Sequence, residues 1–198
     1  GMVAFNVAEL APGQFHRGTG GGLAAAEHAA LRPWQALLQA AGLALTLHAD
    51  MRRMQWGKLL LNLNNPVNAL SELPLREELL SRGYRKALAA LQDEALQVLQ
   101  AARIEPARLT PLPPSWLPAV LRLPTPLFRL LAARMLRIDA KARSSMADDL
   151  AHGRATEVDA LCGEVVRMAR GLNMDAPVNA RMAKLVHEQG LLPQHYDA

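Results

Sequence analysis

Cysteine is almost absent from this sequence: Cys162 is the only one in 198 residues. A single cysteine excludes an internal disulfide framework and fits a reducing cytoplasm, which is the expected location. Aromatic residues are nearly as scarce, at 4%. The basic residues are mostly scattered arginines with no aromatic interleaving, and no nucleic-acid motif is present, so nucleic acid is not an expected partner. The formal charge is only +4, which a solvated surface, with at most an anionic small ligand, accounts for. Long apolar runs are missing too. A membrane span needs roughly 18 or more apolar residues. The nearest window, 117–136, is broken by Pro118, Pro124, Pro126 and several arginines, so no membrane partner is expected. GMVAFNV has neither a basic region nor a small-residue cleavage site, so it does not read as a signal peptide.

What remains is 51% hydrophobic, enough to bury a core. The chain changes character near residue 50. Before it, VAFNVAEL and GQFHRGT read as short strands around a Pro12-Gly13 turn. The glycines at 18–22 form a connection. Residues 27–41 read as a helix closed by Gly42, and 43–48 as a strand. Such an α/β pattern is too short for a complete doubly wound sheet. From Asp50 onward only helices are expected, over 51–70, 76–102, 127–150, 156–170 and 176–188. The proline-rich stretch 106–126 must be irregular or broken into short turns. His152-Gly153 interrupts the helix expected over 127–150, and Thr156 with Asp159 three residues on resembles a capping box.

Most polar clusters have an ordinary structural explanation. GTGGG places Gly18 and Gly20 like the start of a dinucleotide fingerprint, but Leu23 stands where the third glycine belongs, so a flexible connection is the better reading. The histidines His28, His48, His152 and His187 lack metal-ligand spacing, and no metal site is expected. Cys162 has no basic neighbour in sequence and reads as a buried small side chain. Two stretches are less easily dismissed. QWGKLLLNLNNPVNAL is an apolar helix carrying one lysine and four asparagines, although asparagine is a poor helix former. In a straight helix, Asn62 and Asn65 lie within roughly 40° of Lys58 on either side, while Asn64 and Asn68 point elsewhere. Pro66 cannot donate a backbone hydrogen bond, which frees the Asn62 carbonyl. An ammonium flanked by two carboxamides suits a small ligand with a carbonyl: the lysine polarises the oxygen and donates a proton. In SSMADDLAHGRATEVDAL, Ser145, Asp149 and His152 share a face, and Glu157 opens the next helix, where the helix dipole alone explains a carboxylate.

Together these stretches resemble the ketopantoate reductase (2-dehydropantoate 2-reductase) family. W-x-K-L-x-x-N, followed by N-P and A-L, is similar to the start of that family's helical C-terminal domain. S-S-M-x-x-D-L-x-x-G-R-x-T-E-V-D-x-L-x-G resembles its second signature, and A-P-V-N at 176–179 the opening of its last helix. VAFNV, GQFHRGTGG and the following helix and strand are similar to the end of its Rossmann domain. The resemblance therefore implies a mainly α chain. Residues 1–50 would be a remnant of the NADP-binding Rossmann sheet. Residues 51–198 would be an all-helical substrate-binding and dimerisation domain of the 6-phosphogluconate-dehydrogenase-like type. It further implies NADPH-dependent reduction of ketopantoate to pantoate, on the route to coenzyme A. Lys58 would be the general acid, Asn62 and Asn65 would bind substrate, Ser145 would hold its carboxylate, and Glu157 would bind its hydroxyl. The stretch from Asn62 to the N-P pair is one residue shorter than in the family's pattern, which makes Asn64 the alternative to Asn65. The family's glycine-rich cofactor loop would precede residue 1, so the chain by itself is expected to be a poor catalyst, with its cofactor-binding residues unidentified. Two alternatives stand beside this reading: a non-catalytic helical binding or dimerisation module, and a reductase of a different 2-keto acid. Lys58 and Glu157 are expected to face each other across a cleft. The helical domain and an exposed sheet edge both favour a homodimer.

Overall fold

A computed structural model of the chain describes residues 1–3, 5, 7–17, 20–133, 136, 139 and 142–191. Two compact units are present, residues 1–56 and residues 57–198. The first is α/β and the second is helical, as the mainly α expectation requires.

In the first unit, β1 (Met2–Val3), β4 (Leu23–Ala26) and β5 (Leu45–His48) form a three-stranded sheet in the order β1-β4-β5. β1 runs antiparallel to β4, and β4 parallel to β5, with Leu23 opposite Leu45 and Ala26 opposite His48. Parallel neighbours need a crossover, supplied by α1 (Arg32–Ala40), whose Gln35 side chain donates to the Leu45 carbonyl at 3.1 Å. Gly42, at φ +76°, closes this helix as expected. β2 (Val7–Ala11) and β3 (Gln14–Arg17) form a separate hairpin through Pro12 and Gly13. Two expectations need correction. VAFNVAEL is not one strand: its two ends belong to different sheets. The helix begins at Arg32 rather than 27, because Pro33 suits a first turn, and Ala29–Leu31 is a 3-10 turn capped by His28. LAAA, which carries no strand signal of its own, is the central strand of the sheet, where tertiary pairing overrides alanine's helix propensity. Gly18 lies outside the described residues.

The expected helix 51–70 is two helices, α2 (Met51–Asn62) and α3 (Asn64–Ser71). Pro66 has no amide hydrogen for the Asn62 carbonyl, and its ring crowds the preceding turn, so the helix breaks at Leu63. The Leu60 carbonyl accepts from Gln92 Nε2 at 2.9 Å. The expected helix 76–102 is also two, α4 (Leu75–Leu80) and α5 (Arg82–Ala101), parted at Ser81 by an extended ψ of 117°. Short pieces fill the proline-rich region: a 3-10 turn at Pro114–Trp116, α6 (Leu117–Leu121) and α7 (Thr125–Leu131). The expected helix 127–150 fails, because residues 142–144 are not helical, Ser144 is extended and α8 is only Ser145–Ala151; part of that stretch lies outside the described residues. The next helix opens not on a Thr156 cap but on a π-helical turn, Asp159–Gly163, and continues as α9 (Glu164–Gly171). The Asp159 carboxylate sits 3.1 Å from His187 Nε2 instead of capping. α10 (Pro177–Gly190) closes the unit, its first amides capped by the buried Glu94: Val178 N and Asn179 N donate to its two oxygens at 2.9 and 2.8 Å.

Leu60, Leu63, Leu91, Phe128, Met146, Val158 and Val186 form the core of the helical unit with a fully buried arginine, Arg85. Its guanidinium donates to the carbonyls of Leu79, Leu80, Leu121 and Leu123 and to Thr125 Oγ1, at 2.8 to 3.2 Å, and stacks 4.3 Å from the Phe128 ring centre. It thereby receives the last carbonyls of α4, which would otherwise be buried without partners. Lysine has a point charge and three donors where arginine has a fork of five. Arg85→Lys is therefore expected to cost about 2–4 kcal/mol in urea unfolding. A loss within about 0.5 kcal/mol, typical of surface substitutions, would contradict this role.

Candidate functional site

α2 carries Lys58 beside Gly57, where a Cβ would lie 2.5 Å from the Ala107 carbonyl oxygen. Only glycine allows that approach, so α2 lies against the chain at 107 next to the lysine. Lys58, Asn62 and Asn65 are all half-buried, neither a fully solvated face nor a sealed interior. The break at Leu63 puts Asn65 on α3, apart from Lys58 and Asn62 on α2, so the three do not share one continuous helix. α3 packs on α8, and this joins two of the sequence motifs: Ser144 Oγ donates to the Asn65 carbonyl at 3.3 Å and accepts from Ala147 N at 3.1 Å as the cap of α8. Ser145 follows at the first position of α8, exposed. Glu157 is exposed just before the π turn, and its main-chain carbonyl accepts from the amides of Ala160 and Leu161. π turns are rare and frequently mark functional sites.

Asp149 and His152, which share a face with Ser145 in sequence, are taken up locally: Arg154 Nε donates to Asp149 at 2.8 Å, and His152 Nδ1 lies 2.6 Å from the Asp148 carbonyl. Burial pushes the Cys162 thiol up to about 12, which leaves it unreactive. A groove of about 550 Å³ between the π turn, α9 and α10 is lined by Asp159, Arg167, Arg170, Lys184 and His187 among others, and by none of Lys58, Asn62, Asn65, Ser145 and Glu157.

Three residues set aside or overlooked in sequence prove central. Asn64 Nδ2 donates to Glu78 Oε2 at 3.0 Å, and Asn68 Nδ2 donates to the Leu73 carbonyl at 2.9 Å and to Glu78 Oε2 at 3.4 Å. Asn68 Oδ1 accepts from Ser144 N at 2.8 Å. Glu78 is fully buried. Burial raises its carboxyl to about 7, against the two amide hydrogen bonds that lower it. The signal was the i, i+4 spacing of Asn64 and Asn68, which put them on one face away from Lys58.

The region 50–190 matches the family model of the ketopantoate reductase PanE/ApbA C terminal. The chain belongs to the ketopantoate reductase family. A 2-dehydropantoate 2-reductase of Halobacterium salinarum is 30% identical over 154 residues, covering 73% of this chain and 42% of that protein. A PanE/ApbA family ketopantoate reductase from Ralstonia eutropha JMP134 superposes with a TM-score of 0.76 at 23% identity, over 96% of this chain and 58% of that one. D-mandelate dehydrogenase, in a structure with NADH and anilino(oxo)acetate, gives 0.74 at 18% identity, over 96% and 59%. The chain thus spans 42% of the curated relative and little more than half of the two structures. The structural likenesses are of fold.

The folded-state value of Glu78 lies above its ordinary 4.5, so the folded protein keeps a proton that the unfolded chain releases between 4.5 and about 7. Stability is therefore expected to fall as pH rises through that window. Urea titrations at its two ends should show this drop, and show less of it in Glu78→Gln.

Proposed function

We propose that the helical unit is the substrate-binding part of an NADPH-dependent reductase that converts ketopantoate to pantoate. The observation that carries this reading is the family match together with Lys58 and Asn62, half-buried on one helix that leads into the α3–α8 junction. The substrate's 2-keto oxygen would accept from the Lys58 ammonium. As hydride reaches the carbonyl carbon, the developing alkoxide takes the Lys58 proton, giving the 2-hydroxy acid. Asn62 and Asn65 would hold the substrate's oxygens in line, which lowers the entropic cost of reaching the transition state. Ser145 would donate to its carboxylate, and Glu157 would face Lys58 across the site and accept from its hydroxyl.

NADPH supplies the hydride. The described residues do not build its phosphate cradle: Leu23, in the place of a third glycine, opens a strand rather than a helix. What belongs to these residues is holding the keto acid and delivering the proton. A second reading changes the substrate. D-mandelate dehydrogenase shares this fold, and fold does not fix which 2-keto acid is reduced. The homodimer is part of the same proposal, supported by a dimeric ketopantoate reductase from Staphylococcus aureus of the same fold, with a TM-score of 0.72.

NADPH oxidation with ketopantoate tests the proposal. Loss of a general acid is expected to lower kcat by about 100-fold or more in Lys58→Ala. Measurable turnover that is equal in the variant and the unaltered protein would overturn it. A 2-keto acid other than ketopantoate turning over faster would favour the second reading.

A further inference from the structure

Two buried oxygen atoms close to the lysine-bearing segment have no hydrogen-bond partner among the described residues: Oε1 of Glu78 and Oδ1 of Asn64. They belong to side chains already joined by the Asn64 amide donating to Glu78 Oε2. An ionised Glu78 only accepts, so it leaves each side chain with one oxygen that nothing donates to, at a cost comparable to a lost hydrogen bond for each. A carboxylic acid resolves both at once. A proton on Oε1 gives Asn64 Oδ1 its donor, and the two side chains close a ring of two hydrogen bonds, acid to amide.

We propose that Glu78 is a neutral carboxylic acid paired with Asn64 through two hydrogen bonds, and that this pair positions the α3–α8 junction. The positioning half rests on the keto-acid site proposed above. Four contacts relay it. Asn68 Nδ2 reaches the same Glu78 oxygen. Asn68 Oδ1 accepts from Ser144 N. Ser144 Oγ caps α8 at Ala147 and donates to the Asn65 carbonyl. The acid thus sits one residue-to-residue step from Asn64 and two from Ser144, the neighbours in sequence of Asn65 and Ser145. Burial favours the protonated form in the same direction.

The charged groups on the surrounding elements leave this account intact. On α4 itself, Arg76 and Glu77 are exposed; so are Glu72 at the end of α3 and Arg143, next to the Ala142 carbonyl that accepts from Leu75 N. On α5, Arg82 is exposed and donates to the Arg122 carbonyl, and Arg85 is occupied by four carbonyls and a hydroxyl. The hydrogen bonds that reach Glu78 come from the two carboxamides. When the proton leaves, Oε1 is set against Oδ1 of Asn64, the carboxamide must turn, and the tie from α3 to Ser144 loosens.

The test is an amide NMR titration of the chain, from pH 4.5 through 7 and beyond, on the wild type and on Glu78→Gln. Glutamine is neutral and reproduces both hydrogen bonds of the acid. In the wild type, the side-chain amides of Asn64 and Asn68 and the main-chain amide of Ser144 are expected to shift together with a midpoint near 7. In Glu78→Gln that shared transition disappears. A Ser144 amide that ignores pH near 7, or a transition that persists in Glu78→Gln, would overturn the proposal. So would a Glu78→Gln variant that fails to fold, since it keeps the pairing. Calorimetry with ketopantoate separates positioning from mere structure. The wild type should lose about tenfold in affinity, or 1.4 kcal/mol, as pH crosses that midpoint, and Glu78→Gln should not. Affinity unchanged across the midpoint in the wild type would refute the positioning role. No ketopantoate binding at any pH would count against the proposed substrate, and the amide titration would then decide on the acid–amide pair.

Discussion

The helical unit depends on a proline that has no hydrogen to give. Pro66 cannot bond the Asn62 carbonyl, so a run that reads as one helix becomes two, α2 and α3. The break at Leu63 has to be satisfied, and Gln92 on α5 supplies the donor for the Leu60 carbonyl. It also turns α3 so that it packs on α8 and α10. Asparagines that would lie along one continuous helix are distributed between two jobs. Asn62 stays with Lys58 on α2, while Asn64 and Asn68 enter the interior and meet Glu78.

A second constraint holds the carboxylic acid in place. α4, which carries Glu78, is a short helix whose C-terminal carbonyls would be buried without partners. Arg85 receives two of them and binds three further acceptors from 121–125. No carboxylate neutralises it among these contacts. The carbonyl dipoles and the face of Phe128 replace its water. A buried cation and a buried acid thus lie at neighbouring helices, each satisfied by neutral polar groups rather than by the other.

Elements marked by local chemistry were legible in the sequence. Gly42 and Gly153 stop chains where they were expected to, at positive φ, the proline-rich stretch breaks into short turns, and Pro177 starts the last helix. The family was legible because its two motifs occur in order and at length. Features set by distant partners were not. The partners of Arg85 on the 121–125 segment are 36 to 40 residues away, so the break at Ser81 could not be located from local spacing; Pro66 marks the break at Leu63, but Gln92, which bonds the Leu60 carbonyl, lies 32 residues off. LAAA becomes a strand only because β1 and β5 flank it. The straight-helix geometry that grouped Lys58, Asn62 and Asn65 also set Asn64 and Asn68 aside. It assumed that no proline interrupts, and the interruption is what gives those two side chains their partner. Nothing local marks Glu78 in LREELL, and only the packing of α3, α4 and α5 shows it to be buried.

The central claim is that a 2-keto acid binds on α2 and α3 beside the start of α8. The most direct measurement is amide NMR of this chain titrated with ketopantoate. The account predicts saturable shifts at Lys58, Asn62, Asn65 and Ser145, reduced in Asn62→Ala. Shifts confined to the basic groove of α9 and α10, or no saturable shifts at all, would contradict it.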